Sequence, residues 1–81
     1  MNTRVLLFAG LRERLQKEEV CLELPRGTKA VDVFHILFGN GDEAEKLIRC
    51  TLFAVNQTYV RSDAELQDGD ELVLIPPVAG G

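Results

Sequence analysis

Thr28-Lys29-Ala30-Val31-Asp32-Val33-Phe34-His35-Ile36-Leu37-Phe38-Gly39 is the stretch on which the fold turns. Ala30, Val33, Phe34, Leu37 and Phe38 recur at i, i+3, i+4, i+7 and i+8, the period of a helix with one apolar stripe. Thr28 stands where an N-cap belongs, its hydroxyl free to accept from an orphan backbone N–H. Gly39 follows as a C′ residue, and Asn40-Gly41 turns the chain. His35 falls with Thr28 and Asp32 on the wetted face, where a lone histidine reads as a solvated side chain rather than a catalyst.

Short strand-like runs lie on both sides of this helix. Upstream, Arg4-Val5-Leu6-Leu7-Phe8-Ala9 is a continuous apolar run ended by Gly10, and Leu11-Arg12-Glu13-Arg14-Leu15 suits about one helical turn. Val20, Leu22 and Leu24 then share one face of a second strand, closed by Pro25-Arg26-Gly27. Downstream, Asp42 and Glu45 have the spacing of a capping box, opening a short helix that turns Ala44, Leu47 and Ile48 inward. Thr51 to Val55 is a third strand, Asn56-Gln57 a tight turn into Thr58-Tyr59-Val60, and Asp68-Gly69-Asp70 a turn into Glu71-Leu72-Val73-Leu74-Ile75. One substantial helix beside about five strands predicts an α+β roll, a mixed sheet packed on one main helix with short extra helices.

That arithmetic leaves an apolar face uncovered. The first, third and last strands are apolar at nearly every position, yet there is only helix enough for one side of the sheet. Leu6 and Phe8 alternate against Val5 and Leu7, so one pair looks away from the helix. Such a face takes a protein partner unless loops and the Leu11–Leu15 turn cover it.

Composition narrows the partners. Eighty-one residues make one domain, and a formal net charge of −4 argues against nucleic acid, which requires a basic footprint. No run approaches a membrane span, no signal pattern opens the chain, and the expected location is the cytoplasm. Cys21 and Cys50 lack metal-ligand spacing and read as buried small hydrophobes; no metal is expected. Asp63, Glu65, Asp68, Asp70 and Glu71 form a solvated acidic edge or a docking surface for a basic partner. There is no Cys–His or Ser–His constellation and no glycine-rich loop opening a helix.

The remaining chemistry lies at the end of the chain, Pro76-Pro77-Val78-Ala79-Gly80-Gly81. Two prolines end the last strand's ladder and direct the chain away from the sheet. Val78, Ala79, Gly80 and Gly81 have too little bulk to pack back, so residues 1–75 are expected to be the folded domain and 76–81 a flexible tail. A thin tail can thread a channel and present the α-carboxylate of Gly81. A carboxylate becomes an acyl donor once adenylated with ATP, and this chain has no ATP site of its own, so a partner enzyme must supply one. Sulfur attack on the adenylate leaves a thiocarboxylate, a usable nucleophile; attack by a lysine amine would link two proteins instead.

Four stretches carry a family resemblance: Val5-Leu6-Leu7-Phe8-Ala9-Gly10-Leu11-Arg12-Glu13, Phe53 to Val60, Leu66 to Glu71, and Ile75 to Gly81. Together they resemble the small, sulfur-carrier subunit of molybdopterin synthase, within the ubiquitin-like β-grasp group. Members often have serine where this chain has Ala79, and the segment from Gly39 to Cys50 matches least. The resemblance implies that Gly81 is adenylated by a ubiquitin-activating-like adenylyltransferase and converted to a thiocarboxylate by a sulfur donor system. It implies that Pro76, Pro77, Val78, Ala79 and Gly80 thread into the large synthase subunit, in a heterotetramer, where sulfur passes to cyclic pyranopterin monophosphate. Phe8 and Leu6 are the expected docking residues. Other readings share the Gly-Gly chemistry or the fold: a sulfur carrier for thiamine thiazole or tRNA thiolation, a ubiquitin-like modifier, or a binding module with an incidental tail.

Overall fold

The computed structural model describes residues 1–77. The elements run β1 (Asn2–Leu7), α1 (Ala9–Leu15), β2 (Glu19–Glu23), α2 (Ala30–Phe38), α3 (Asp42–Cys50), β3 (Leu52–Val55), β4 (Thr58–Val60) and β5 (Glu71–Ile75). They build one five-stranded sheet in the order β2-β1-β5-β3-β4, with β1 and β5 parallel and the other neighbours antiparallel. The expected mixed sheet forms, with α2 packed on it; α3, expected as a short extra helix, is nine residues long, the same length as α2.

The apolar stripe of α2 supplies the core. Ala30, Val33 and Phe34 are fully buried and share one cluster with Val5, Leu7, Leu11, Phe53, Leu66, Leu72 and Leu74. Phe34 stands 6.5 Å from Phe53 and 4.9 Å from Phe38, ring centroid to centroid, both pairs tilted. Offset or tilted aromatic contacts of this kind add specificity to the area they bury. Gly39 closes α2 as expected, at φ 85°, donating its N–H to the His35 carbonyl at 2.8 Å. Asn56 and Gln57 both take positive φ, 50° and 69°, as a tight hairpin between β3 and β4 demands.

Several local expectations are corrected. Thr28 does not cap α2: its buried hydroxyl donates to the Pro25 carbonyl at 2.7 Å, and Lys29 takes the cap position. The orphan donors are met from elsewhere. Ala30 and Val31 donate to the Ala64 and Ser62 carbonyls at 2.9 and 2.8 Å, and Asp32 accepts from the Lys29 N–H at 2.9 Å. A neighbouring loop thus does what a threonine cap would have done. Asp42 is the first residue of α3, after Gly41 as cap, so Asp42, Glu43 and Glu45 favour that helix end through charge. Gly10 does not end β1 but lies inside α1, which begins at Ala9 and is longer than one turn.

The cysteines are exposed rather than buried. Cys21 has the opposite parity to Val20 and Leu22 on β2, and Cys50 is the last residue of α3. His35 is half-buried and not fully wetted: its Nδ1 lies 3.1 Å from the Gly39 carbonyl and its Nε2 3.6 Å from Glu45, joining α2 to α3. The acidic edge is not uniformly solvated either. Asp70 is buried and accepts from Asn56 Nδ2 at 2.9 Å and from the Gln67 N–H at 2.7 Å, pinning the turn into β5.

Candidate functional site

Strand parity decides which side chains face away from α2. Val5, Leu7, Leu72, Leu74 and Phe53 point to α2, so Leu6, Val73, Ile75, Leu52 and Tyr59 belong to the other face. Register then lines them up. Leu6 is opposite Val73, Val73 opposite Ala54, and Ala54 opposite Tyr59, giving an apolar row across four strands; Ile75 opposite Leu52 begins a second. Phe8, 45% exposed, continues β1 in an extended conformation just before α1. Leu52 and Tyr59 are 54% and 69% exposed, so the described residues leave this face open. Helix α1 does not cover it, because its inward residue, Leu11, joins the core on the other side.

Leu6 and Phe8 therefore lie where the sequence placed them, on the uncovered face. Leu52, Tyr59, Val73 and Ile75 were missed as members of it. The alternation of Leu72 and Leu74 against Val73 and Ile75 was the available signal; what it lacked was the pairing that sets these residues beside Leu6.

The root of the tail lies at the same end. Because β1 and β5 run parallel with Leu7 opposite Leu74, Phe8 and Ile75 both continue from that pair at one end of the two strands. Pro76 is buried and Pro77 exposed. Val78, Ala79, Gly80 and Gly81, on which the chemistry was placed, lie outside the described residues.

The opposite half of the open face is polar. Arg4 Nε and Nη2 both donate to Glu19 Oε1, at 3.0 and 2.7 Å, and Arg4 Nη1 lies 3.4 Å from Glu71 Oε2. The hydrogen bond that Arg4 donates to Glu19, followed by the charge of that carboxylate, raises the guanidinium above its usual value. Such an exposed pair contributes little to stability. Among the described residues no group of three or more His, Cys, Asp or Glu is placed to hold a metal ion, and no helix is long and apolar enough to cross a membrane.

A mixed five-stranded sheet crossed by one main helix, with its far face open and its last strand leading to a slim terminus, is a ubiquitin-like β-grasp domain. Within that class the chain belongs to the ThiS family, whose model matches residues 5–81. It is 37% identical over 83 residues to a molybdopterin synthase sulfur carrier subunit of Chlamydomonas reinhardtii, covering 100% of both chains. The protein of the same name from Arabidopsis thaliana is 33% identical over 81 residues, covering 100% of this chain and 84% of the relative. Among solved structures, SAMP1 of Haloferax volcanii, a small archaeal modifier protein, superposes with a TM-score of 0.82 at 27% identity over 100% of each chain.

Proposed function

We infer that this chain is a sulfur carrier of molybdenum cofactor biosynthesis, the small subunit of a molybdopterin synthase, and that Gly81 carries the sulfur. The carboxylate oxygen of Gly81 attacks the α-phosphorus of ATP in an activating partner resembling the ubiquitin-activating enzymes, and pyrophosphate leaves. Hydrosulfide-level sulfur (HS⁻) released by the donor system then attacks the acyl carbon and AMP leaves, so one oxygen is replaced by sulfur and the terminus becomes a thiocarboxylate. The tail, Pro76 to Gly81, enters the large synthase subunit and passes the sulfur to cyclic pyranopterin monophosphate. All nucleotide and substrate sites belong to the partners; the body of this chain orients and delivers.

The observation that carries this reading is the shared end of β1 and β5: the open apolar face and the start of 76–81 meet where Phe8 and Ile75 continue the parallel pair. Four residues follow Pro77 and span at most about 14 Å. A protein that takes Gly81 into an interior site must therefore press against this end of the chain, and Phe8 and Leu6 are the docking residues within reach. The full-length likeness to molybdopterin synthase sulfur carrier subunits supports the choice of pathway.

The test is to extend the chain by one tryptophan after Gly81 and assay molybdopterin formation with the large subunit and thiolation components. Loss of activity with an unchanged thermal melt supports delivery by the terminus. Sulfur insertion by the extended, untrimmed protein contradicts it. A modifier role, favoured by the superposition on SAMP1, predicts conjugates to lysine amines in a cell extract, and their absence beside a thiocarboxylated terminus rules it out.

A further inference from the structure

The polar half of the open face has its own consequence, which rests on the reading above. One guanidinium, Arg4, serves two carboxylates. Glu19 receives both short hydrogen bonds, while among the described residues Glu71 has only the 3.4 Å contact and keeps a side chain 27% exposed. The Glu19–Arg4–Glu71 group therefore carries a surplus negative charge. Register sets the surplus against the apolar rows: Glu71 precedes Val73 by two residues on β5, and Glu19 is opposite Leu6.

A partner that covers Leu6 and Val73 must also remove water from Glu71. Burying a carboxylate whose only ionic contact is long and shared is unfavourable unless the incoming surface brings a cation. An uncharged apolar surface would fit the rows and still be rejected at this margin. Nucleic acid and acidic proteins are disfavoured by the same charge. Charges arranged in this way govern encounter rate and partner choice more than final affinity.

We propose that Glu71, held on the face by Arg4, is a specificity determinant that selects a tail-receiving partner presenting a lysine or arginine beside an apolar patch. The large synthase subunit is the occupant to which the tail commits this face. The apolar rows accept it, and the Glu19–Arg4–Glu71 group sets its orientation so that the terminus points into the cavity.

Binding kinetics of the purified large subunit from the same organism test the proposal, with wild type, Glu71→Gln, Glu71→Lys and Phe8→Glu compared across a salt series. Glu71→Gln should slow association several-fold at low salt and flatten its salt dependence. Glu71→Lys should weaken binding at least tenfold while its amide spectrum stays that of a folded domain. Binding of Glu71→Lys within twofold of wild type, with an unchanged salt slope, overturns the proposal. If Phe8→Glu abolishes binding in that same series, the carrier reading survives and only the charge recognition falls. Failure of the wild-type chain to bind overturns both.

Discussion

The two faces of one sheet differ in almost everything but backbone. Leu72 and Leu74 on β5 are fully buried under α2, whereas Val73 and Ile75, their immediate neighbours, are half-buried on the open side. On the helix side apolar side chains are held by each other, and their contribution is to stability. On the open side equally apolar residues contribute little to folding. Their cost is an uncovered surface, which a lone small domain has reason to avoid. Apolar character alone therefore does not mark a core residue: here the same composition is buried on one face and left uncovered on the other.

The largest expected effect comes from breaking that contrast within β5. Leu74→Ala should destabilise the domain by about 2–5 kcal/mol, the range for truncating a buried leucine. For so small a domain that is a large share of its total stability. Val73→Ala, one residue away, should cost about 1 kcal/mol or less. Chemical denaturation of the two variants checks the ratio; equal losses would mean that the open face is not open in solution.

A smaller effect sharpens the description of the helix side. Thr3 is buried, and its hydroxyl has no hydrogen-bond partner among the described residues. An unsatisfied buried hydroxyl costs about 1–3 kcal/mol, so Thr3→Val should raise stability by about 1 kcal/mol, read as a higher denaturation midpoint. An unchanged or lower midpoint would show that the hydroxyl is satisfied by water.

Phe8→Glu should have the smallest effect on folding, within about 0.5 kcal/mol, as for surface changes away from special features. It should nevertheless cost most of the affinity for the large subunit, since a charge would replace an aromatic anchor. Normal binding by this variant would remove Phe8 from the docking face.

What was legible in the chain follows from the same contrast. Strict periodicity carried α2, and strand runs bounded by turn residues placed β3, β4 and β5 within a residue of their observed limits. The open face was legible as a mismatch between apolar strand and available helix. Its full membership was not, because Leu52, Tyr59 and Val73 reach Leu6 only through pairings between distant segments. Capping failed for a related reason: the donors at the start of α2 are met by carbonyls at 62 and 64, a contact that a local pattern cannot contain. Cys21 was misplaced because residue type was weighed above strand parity, and Cys50 because it was weighed above a position at the end of a helix. Alternation separated Leu6 and Phe8 from Val5 and Leu7 without saying which pair faces outward; that choice, like the Glu71–Arg4 margin, required the register of β1 against β5.

The central claim is that the terminal carboxylate of Gly81 is the group that carries sulfur. Intact-mass and fragment analysis of the wild-type chain, after incubation with ATP, an activating enzyme and a sulfur source, addresses it directly. The account predicts replacement of a single oxygen by sulfur, localised to Gly81 and absent when ATP is omitted. An unchanged mass under conditions that thiolate a related carrier, or sulfur found on Cys21 or Cys50 instead, would contradict it.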